Sequence, residues 1–571
     1  MSDETTASAR RSDLDALRAG AMLLGIVLHA SLSFFPSMWM VMDRRQDSAF
    51  GILFSAIHGF RMPLFFVMCG FFSAMLLYRR GRGALVKHRF QRVFLPMLAG
   101  LFTIVPATNW ISGVTMSSAS RKPVAAAPAD AASNIWAAAQ SGDLAAIERH
   151  LASGAAVDAF DPDRGGTPLM WAAAKGRAEA MELLVRKGAD VNAAGQDGGT
   201  SLHASAFLGH VDAVDVLLRN GAKVNAINGS GSTPLDTAVL DEGTTRYYAS
   251  LLQLELNEDG LGKRKAAIAE SLRKLGAMAG QTTGLANLLM QIPIFNHLWF
   301  LWFLWWLVVG YAAVSALGAW LPSVRLPGWM VLSPARYLWL IPLTMLPQWF
   351  MGNGGTPPIF GPDTSTGLLP IPHVFAYYAI FFGFGAIYYG HDDPSGRVGA
   401  RWWLPLSIAL LVVLPLGLAL TAGWAGPPGM GLGPRALRVL SVFVQAAFPW
   451  LMTFGLMGVF RRVCAVESPS MRYLSDSAYW LYLVHLPLII GAQYVVRDWP
   501  IPAVAKFLLI VVVVTSFLLW TYQVMVRYTW LGRFLNGPRT RPARPEYMAG
   551  QTRDHFTAQG MAPAQVEETV K

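Results

Sequence analysis

A chain in which one apolar run of about twenty residues follows another has few ways to fold. Each such run can cross ~30 Å of hydrocarbon as a helix, and inside hydrocarbon every backbone amide and carbonyl must be met within the segment. The runs here lie near 14–35, 53–78, 93–112, 297–318, 334–350, 373–390, 402–424, 437–460, 474–495 and 503–527. They predict an all-α fold, a polytopic membrane helix bundle of about ten spans. Composition agrees, with 53% of the 571 residues hydrophobic and 14% charged, where soluble domains are about a quarter charged. The polar start MSDETTASARRSD leads straight into a full-length run, so no cleavable signal peptide is expected.

Orientation follows the basic segments. Residues 79–92, 461–472 and 527–544 are rich in Arg, whereas 352–372 has no Lys or Arg. Placing the basic segments in the cytoplasm puts both termini there and turns 352–372 outward. Arg44, Arg45, Arg435 and Arg438 count weakly against this placement. Juxtamembrane cations next to lipid account for most of the net charge of +11, so no nucleic-acid partner is expected. Two cysteines, Cys69 and Cys464, make neither a disulfide framework nor a zinc pattern.

The third and fourth runs are separated by a long polar insert with a repeat. GGTPLMWAAAKGRAEAMELLVRKGADVNAAG begins at Gly165, GGTSLHASAFLGHVDAVDVLLRNGAKVNAING at Gly198 and GSTPLDTAV at Gly231, a period of 33. This resembles an ankyrin array: a TPLH-like turn, two short helices, then a GADVN segment. A weaker unit precedes it at 134–161, and a charged helix near 262–275 ends it. His203 holds the histidine position of the turn and is read as structural. The predicted organisation is a membrane domain over 1–118, a linker over 119–132, an ankyrin-repeat solenoid over 133–280, a second membrane part over 281–530 and a disordered cytoplasmic tail over 531–571. The same topology places the array on the outer side. It is read as a module for a protein partner or for the substrate, with a purely structural insert as the alternative.

The first run carries Arg18 and His29, eleven positions apart. At about 100° per residue they share one helical face, about 16 Å apart along the axis. Ionisable groups inside a span are costly and point to function. The bland readings are a cytoplasmic anchor for Arg18 and an interhelical hydrogen bond for His29. The second run opens HGFRMPLFFVMCGFF, which places His58 and Arg61 near its outer end. Counting back to the basic loops, Arg61 and His29 sit at nearly equal depth. An imidazole beside a guanidinium stays neutral, the form a general base requires.

RSDLDALRAGAMLLGIVLHA, HGFRMPLFFVMCGFF with the following KHRFQRVFLP, HLWFLWFLWWLV and YWLYLVHLPLII together resemble helices of the acyltransferase 3 family. They lean toward its branch that succinylates periplasmic glucans. The resemblance covers about 10–112 and 290–530 and leaves out the repeats. It implies a bacterial inner-membrane O-acyltransferase. The acyl group, acetyl or succinyl, would come from cytoplasmic acyl-CoA as co-substrate and pass to a hydroxyl of a carbohydrate outside. No permanently bound cofactor is implied. On this reading Arg18, Arg89 and Arg92 meet the donor phosphates, Arg89 and Arg92 matching the family's RxxR pattern. His29 is the general base, and Arg61 holds the developing oxyanion or the outer substrate. Simple positive-inside charge is the competing account of the two later arginines, and a backbone carbonyl partner that of Arg61.

His58, His297 and His485 are further candidates for substrate binding. For His297 an interfacial hydrogen bond competes. For His485 the competing role is to satisfy backbone acceptors freed by Pro487. The tryptophans of 297–306 read as packing and an interfacial belt. No metal is expected, since the histidines lack ligand spacing. Ser31 and Ser33 near His29 lack a nucleophile elbow. Asp13 and Asp15 lie about 20 Å below His29, too far to orient it, so direct transfer is favoured over a triad. Two rival functions remain: a transporter or flippase that uses the same His and Arg for proton coupling, and a membrane-anchored ankyrin scaffold. The scaffold leaves Arg18 and His29 unexplained.

Overall fold

The computed structural model describes residues 11–35, 39–120, 134–161, 165–195, 198–229, 231–251, 256–280, 289–290, 292–318, 326–352, 360–421, 433–466 and 468–537. Among them the regular structure is helical, with no β-strand. Three helices come first: α1 (Ser12–Ser31), α2 (Ala49–Arg89) and α3 (Leu95–Ser120). The repeat region follows as α4 (Ile135–Ser141), α5 (Leu144–Ala152), α6 (Pro168–Ala174), α7 (Ala178–Arg186), α8 (Ser201–Leu208), α9 (Val211–Arg219), α10 (Pro234–Val239), α11 (Glu242–Leu251) and α12 (Leu261–Lys274). After it come α13 (Trp299–Leu317), α14 (Gly328–Leu332), α15 (Arg336–Gln348), α16 (Pro372–Tyr389), α17 (Trp403–Ile408) and α18 (Leu414–Thr421). The chain closes with α19 (Pro434–Val463), α20 (Pro469–Val496), α21 (Ala503–Thr521) and α22 (Trp530–Asn536).

Seven described stretches are long and apolar enough to cross a membrane: Ser12–Ser31, Ala49–Thr115, Asn296–Leu317, Trp403–Thr421, Arg435–Val463, Pro469–Val496 and Ala503–Val526. The 67-residue Ala49–Thr115 stretch is long enough for two crossings at ~1.5 Å per residue. Helices α15 and α16 stand at the two other predicted spans.

The connections gather at two ends of the bundle. At one end Arg82 donates to the Ser315 carbonyl, Ser12 to those of Cys464 and Ala465, and Asn536 to that of Asp476. At the other, Lys506 meets Asp43, Arg44 meets Asp498, Asn296 meets Asn109, and His58 meets the Pro362 carbonyl. Helices α1, α2, α3 and α13 thus alternate in direction, as do α19, α20 and α21. The backbones of α2 and α16 come together at Gly70 and Gly385. A β-carbon on Gly70 would strike the Phe382 carbonyl, and one on Gly385 the Val67 carbonyl. Small residues permit this approach where no hydrophobic effect drives helices together.

Two boundaries differ from expectation. The basic segment 79–92 is helical, carrying α2 on to Arg89 and through a π-helical turn, Phe90–Phe94, into α3. Gly81, at φ +80°, kinks it without ending it. The expected tail also begins with structure. Residues 530–536 form α22, with Gly532 and Leu535 buried, because Leu531, Phe534 and Leu535 have an apolar surface to pack on. The remainder of the tail from 538, and the linker from 121 to 133, lie outside the described residues.

In the repeats, the threonine of each TPLH-like turn caps a helix. Thr167 and Thr233 accept from the amides of Met170 and Asp236, satisfying orphan donors of the first turn. His203 bonds the capping Thr200 and reaches the Ser232 carbonyl of the next unit at 3.0 Å, the structural role read from its position. Asn192 ties its unit to the following one through the Gly221 carbonyl and the Lys223 amide. Asn225 does the same with Gly276 and Met278. Helix α12 covers the end of the stack. It buries Lys265, whose ammonium donates to the carbonyls of Phe207 and Thr237 and to Thr245 Oγ1.

Candidate functional site

The polar groups of α1 face a polar stripe on α20. Ser475, Tyr479, Tyr482 and His485 follow one another at helical spacing on α20. Arg18 donates to Ser475 Oγ at 2.8 Å. Eleven residues further along α1, His29 Nδ1 lies 3.2 Å from His485 Nε2. The two helices therefore enclose a polar seam, with the arginine at one end and a pair of imidazoles at the other.

Carbonyl oxygens accept and never donate, so a ring nitrogen bonded to one carries a proton. His29 Nδ1–H donates to the Gly25 carbonyl at 2.8 Å. His485 Nδ1–H donates to Tyr482 O at 2.7 Å and Leu481 O at 3.1 Å. His297 Nε2–H donates to Leu483 O at 3.1 Å. The neutral imidazoles then carry lone pairs on Nε2 of His29, Nε2 of His485 and Nδ1 of His297. His297 Nδ1 is buried and has no partner among the described residues. His29 is only half-buried, although Leu28 and Ala30 on either side are buried.

The backbone explains the placement of His297. Pro487 has no amide hydrogen, so the helical bond to Leu483 O cannot form. His297, in the turn Asn296–Leu298 that precedes α13, takes up that carbonyl. Tyr482 returns a bond from its hydroxyl to the His297 carbonyl at 2.6 Å. The acceptor freed by Pro487 is thus met by His297 rather than His485, which corrects the competing role considered for His485. His297 and His485 rings stand 5.7 Å apart, perpendicular.

Arg61 reaches the site from α2. Its guanidinium occupies the space beside Gly25 that any β-carbon would fill, and it acts electrostatically on His29, His58 and His485. It pairs with no carboxylate among the described residues, and its buried Nε has no partner there. His58 stacks on Phe54 at 5.2 Å and bonds the Pro362 carbonyl at 3.1 Å. It belongs to the outer loop contact, one turn of α2 beyond Arg61.

Sequence reasoning missed three groups here. Gln493 donates to the carbonyls of His29 and Ala30 and accepts from the Trp39 indole. Trp39 stands 6.3 Å from the His29 ring. Gly25 is the third. Gln493, a lone amide in an apolar run, carried a readable signal. Trp39 and Gly25 did not, since their roles arise from other helices. Ser31 and Ser33 donate to the carbonyls of Leu28 and Val41 and are thereby committed to backbone. No carboxylate among the described residues bonds any of the three imidazoles, and no group of His, Cys, Asp or Glu there is arranged for a metal.

The other end of the seam is cationic. Arg18 also pairs with Asp15 at 3.2 Å and lies over the Phe72 ring at 5.9 Å. Arg89 donates to Ser73 Oγ at 3.3 Å and stands within electrostatic reach of Arg18, Cys69 and Tyr479. Its Nε is buried without a partner among the described residues. Guanidinium groups suit anions, which they can bind through two parallel hydrogen bonds. Arg92 is placed differently. It donates to the carbonyls of Arg533 and Phe534 and fastens α22.

A family model described as an acyltransferase domain matches residues 11–136 and 272–522, about two thirds of the chain. The match breaks where a second model, described as ankyrin repeats, finds three copies over 135–228. The chain is 40% identical over 88 residues to glucans biosynthesis protein C of Escherichia coli strain K12. It matches the proteins of that name from Escherichia coli O1:K1 / APEC and O157:H7 (strain EC4115 / EHEC) equally well. The aligned part is 15% of this chain and 23% of each relative.

Proposed function

This chain belongs to the acyltransferase 3 family, and on that premise we propose that it moves an acetyl or succinyl group from cytoplasmic acyl-CoA to a hydroxyl of a carbohydrate on the far side of the bacterial inner membrane. The observation that carries the reading is the half-buried His29, with its Nε2 lone pair uncommitted by the carbonyl contact at Nδ1, beside a guanidinium that has no carboxylate partner among the described residues. The glucan named in the relatives supports a carbohydrate acceptor. In this reading both termini are cytoplasmic and the ankyrin array lies outside, where it binds a partner or presents the acceptor.

The chemistry uses this chain's own groups. Arg18 and Arg89 receive the phosphates of the donor, whose acyl arm lies along the seam toward His29. Arg92, fastened to α22, contributes positive charge at the same mouth. His29 Nε2 takes the proton of the acceptor hydroxyl as its oxygen attacks the thioester carbonyl. Arg61 meets the negative charge that develops on the carbonyl oxygen. The carbon–sulfur bond then breaks, and the departing thiolate takes the proton back from Nε2. His297 and His58 line the acceptor side. Free coenzyme A and an O-acylated sugar leave.

The test is coenzyme A release by the purified full chain in nanodiscs, supplied with acetyl- or succinyl-CoA and a glycan extract. Wild type and His29→Ala are compared, with folding of both checked. Acceptor-dependent release that is lost in the variant supports the reading. Equal turnover in the folded variant removes His29 as the base. Absence of turnover with either donor moves the weight to transport.

A further inference from the structure

His485 has a use that the proposed transfer does not by itself assign. Four distances define it. His485 is anchored through its Nδ1–H to Tyr482 O at 2.7 Å and Leu481 O at 3.1 Å. That places the proton on Nδ1 and leaves a lone pair on Nε2. Nε2 points at His29 Nδ1, 3.2 Å away, and His29 Nδ1 carries the proton that it shares with Gly25 O at 2.8 Å. The Nε2 lone pair of His485 thus faces the Nδ1–H of His29, so the chain of bonds runs in a single direction: His29 Nδ1–H to His485 Nε2, then His485 Nδ1–H to backbone. His485 is buried, and its ring stands 4.9 Å from that of His29.

We propose that His485 is the positioning residue of His29, a neutral imidazole acceptor doing from α20 what a carboxylate does behind the histidine of a catalytic triad. It holds the His29 ring in one orientation, with Nε2 toward the acceptor. It also gives the Nδ1–H a second acceptor when Nε2 takes up its proton and the ring becomes cationic, the state in which the bond is strongest. No carboxylate is brought into hydrocarbon for this purpose, which avoids a second ionised group in the span. The backbone anchors of His485 are essential to the scheme: they fix its tautomer, so it cannot present a competing N–H to His29.

The functional part rests on the transfer reading, but the bond itself does not, and the experiments separate them. The first is a scalar coupling between the imidazole nitrogens, read on full-length protein with ¹⁵N-labelled histidine in nanodiscs and assigned with His29→Gln and His485→Phe. A coupling from His29 Nδ1 to His485 Nε2, with His29 as the Nδ1–H tautomer, is expected in wild type. Its absence, or a His29 proton on Nε2, overturns the proposal whatever the activity. The second is coenzyme A release. His485→Phe keeps a ring of similar volume and removes the acceptor. Its kcat is expected to fall about tenfold to a hundredfold with KM for the donor unchanged. His485→Gln, which can offer an oxygen to His29 and an N–H to the Tyr482 carbonyl, should recover part of that loss. Wild-type kcat in folded His485→Phe, or no difference between the two variants, overturns the positioning role. If His29→Ala keeps its turnover while the coupling is present, the transfer reading fails and the bond stands.

Discussion

The Arg61 guanidinium lies against the Cα of Gly25, one helical turn before His29. A substitution there separates stability from activity. Gly25 is buried, so Gly25→Ala gains little of the ~1 kcal/mol that replacing a glycine brings in an exposed helix, and its methyl takes the space of a guanidinium nitrogen. Thermal stability in detergent should fall only slightly, because the displaced atom ends a flexible side chain, while acyl transfer falls by more than about tenfold as Arg61 is pushed from its place. Unchanged turnover in Gly25→Ala would remove Arg61 from the reaction.

Arg89 and Arg92 share a motif and differ in their engagements. Arg89→Gln should raise the KM for acyl-CoA about tenfold with little change in kcat, the loss of one charged hydrogen bond to phosphate. Arg92→Gln should chiefly loosen α22, read as faster proteolysis or hydrogen exchange over 530–536. A larger KM effect at Arg92 than at Arg89 would reverse the assignment.

Lys506 and Asp43 form a pair with exposures of 0% and 1% and an N–O distance of 2.8 Å. It joins the connection after α1 to the start of α21. Asp43→Ala leaves a buried ammonium with only the Arg497 carbonyl among the described residues and should cost about 3–5 kcal/mol. Adding Lys506→Met should restore most of it, because no uncompensated charge remains. Additive losses in the double variant would mean that the two side chains do not act as a pair.

Lys265 gives the array a pH dependence. Burial pulls its pKa down from 10.5 to about 8. The native state therefore releases this proton before the unfolded chain does, and between those values the unfolded state binds more protons. Stability of the array rises with pH over that window. Hydrogen exchange in α8, α10 and α12 of the full chain, corrected for its chemical rate, should slow from about pH 7 to about pH 10. Lys265→Met should abolish the trend. A trend that persists in the variant would assign it to another group.

The chain shows clearly which parts of a structure a sequence can carry. Apolar run length placed a helix at every predicted span, because hydrocarbon thickness sets it. The 33-residue period placed the repeat helices, because each unit repeats the same caps and contacts. Arg18, His29 and Arg61 stood out as costly groups in apolar runs. What stayed hidden depends on neighbours distant in sequence. Gly25 is one small residue among many until Arg61 lies against it. Arg92 reads as a free cation until α22 supplies two carbonyls. The start of α22 was concealed in a basic, Pro-containing segment whose composition suggests a tail, although Leu531, Phe534 and Leu535 repeat at helical spacing.

Pro487 carries its consequence beyond its own helix. In water the Leu483 carbonyl that it strips of an amide would be hydrated, and the proline would matter only to local bending. Where no water competes, the vacancy acts as a socket that a single donor fills, and the donor is His297. A residue that makes no bond thus decides which nitrogen of a distant imidazole bears hydrogen. Within this bundle an omitted atom of the main chain is as instructive as a side chain, and proton bookkeeping at the site begins with it.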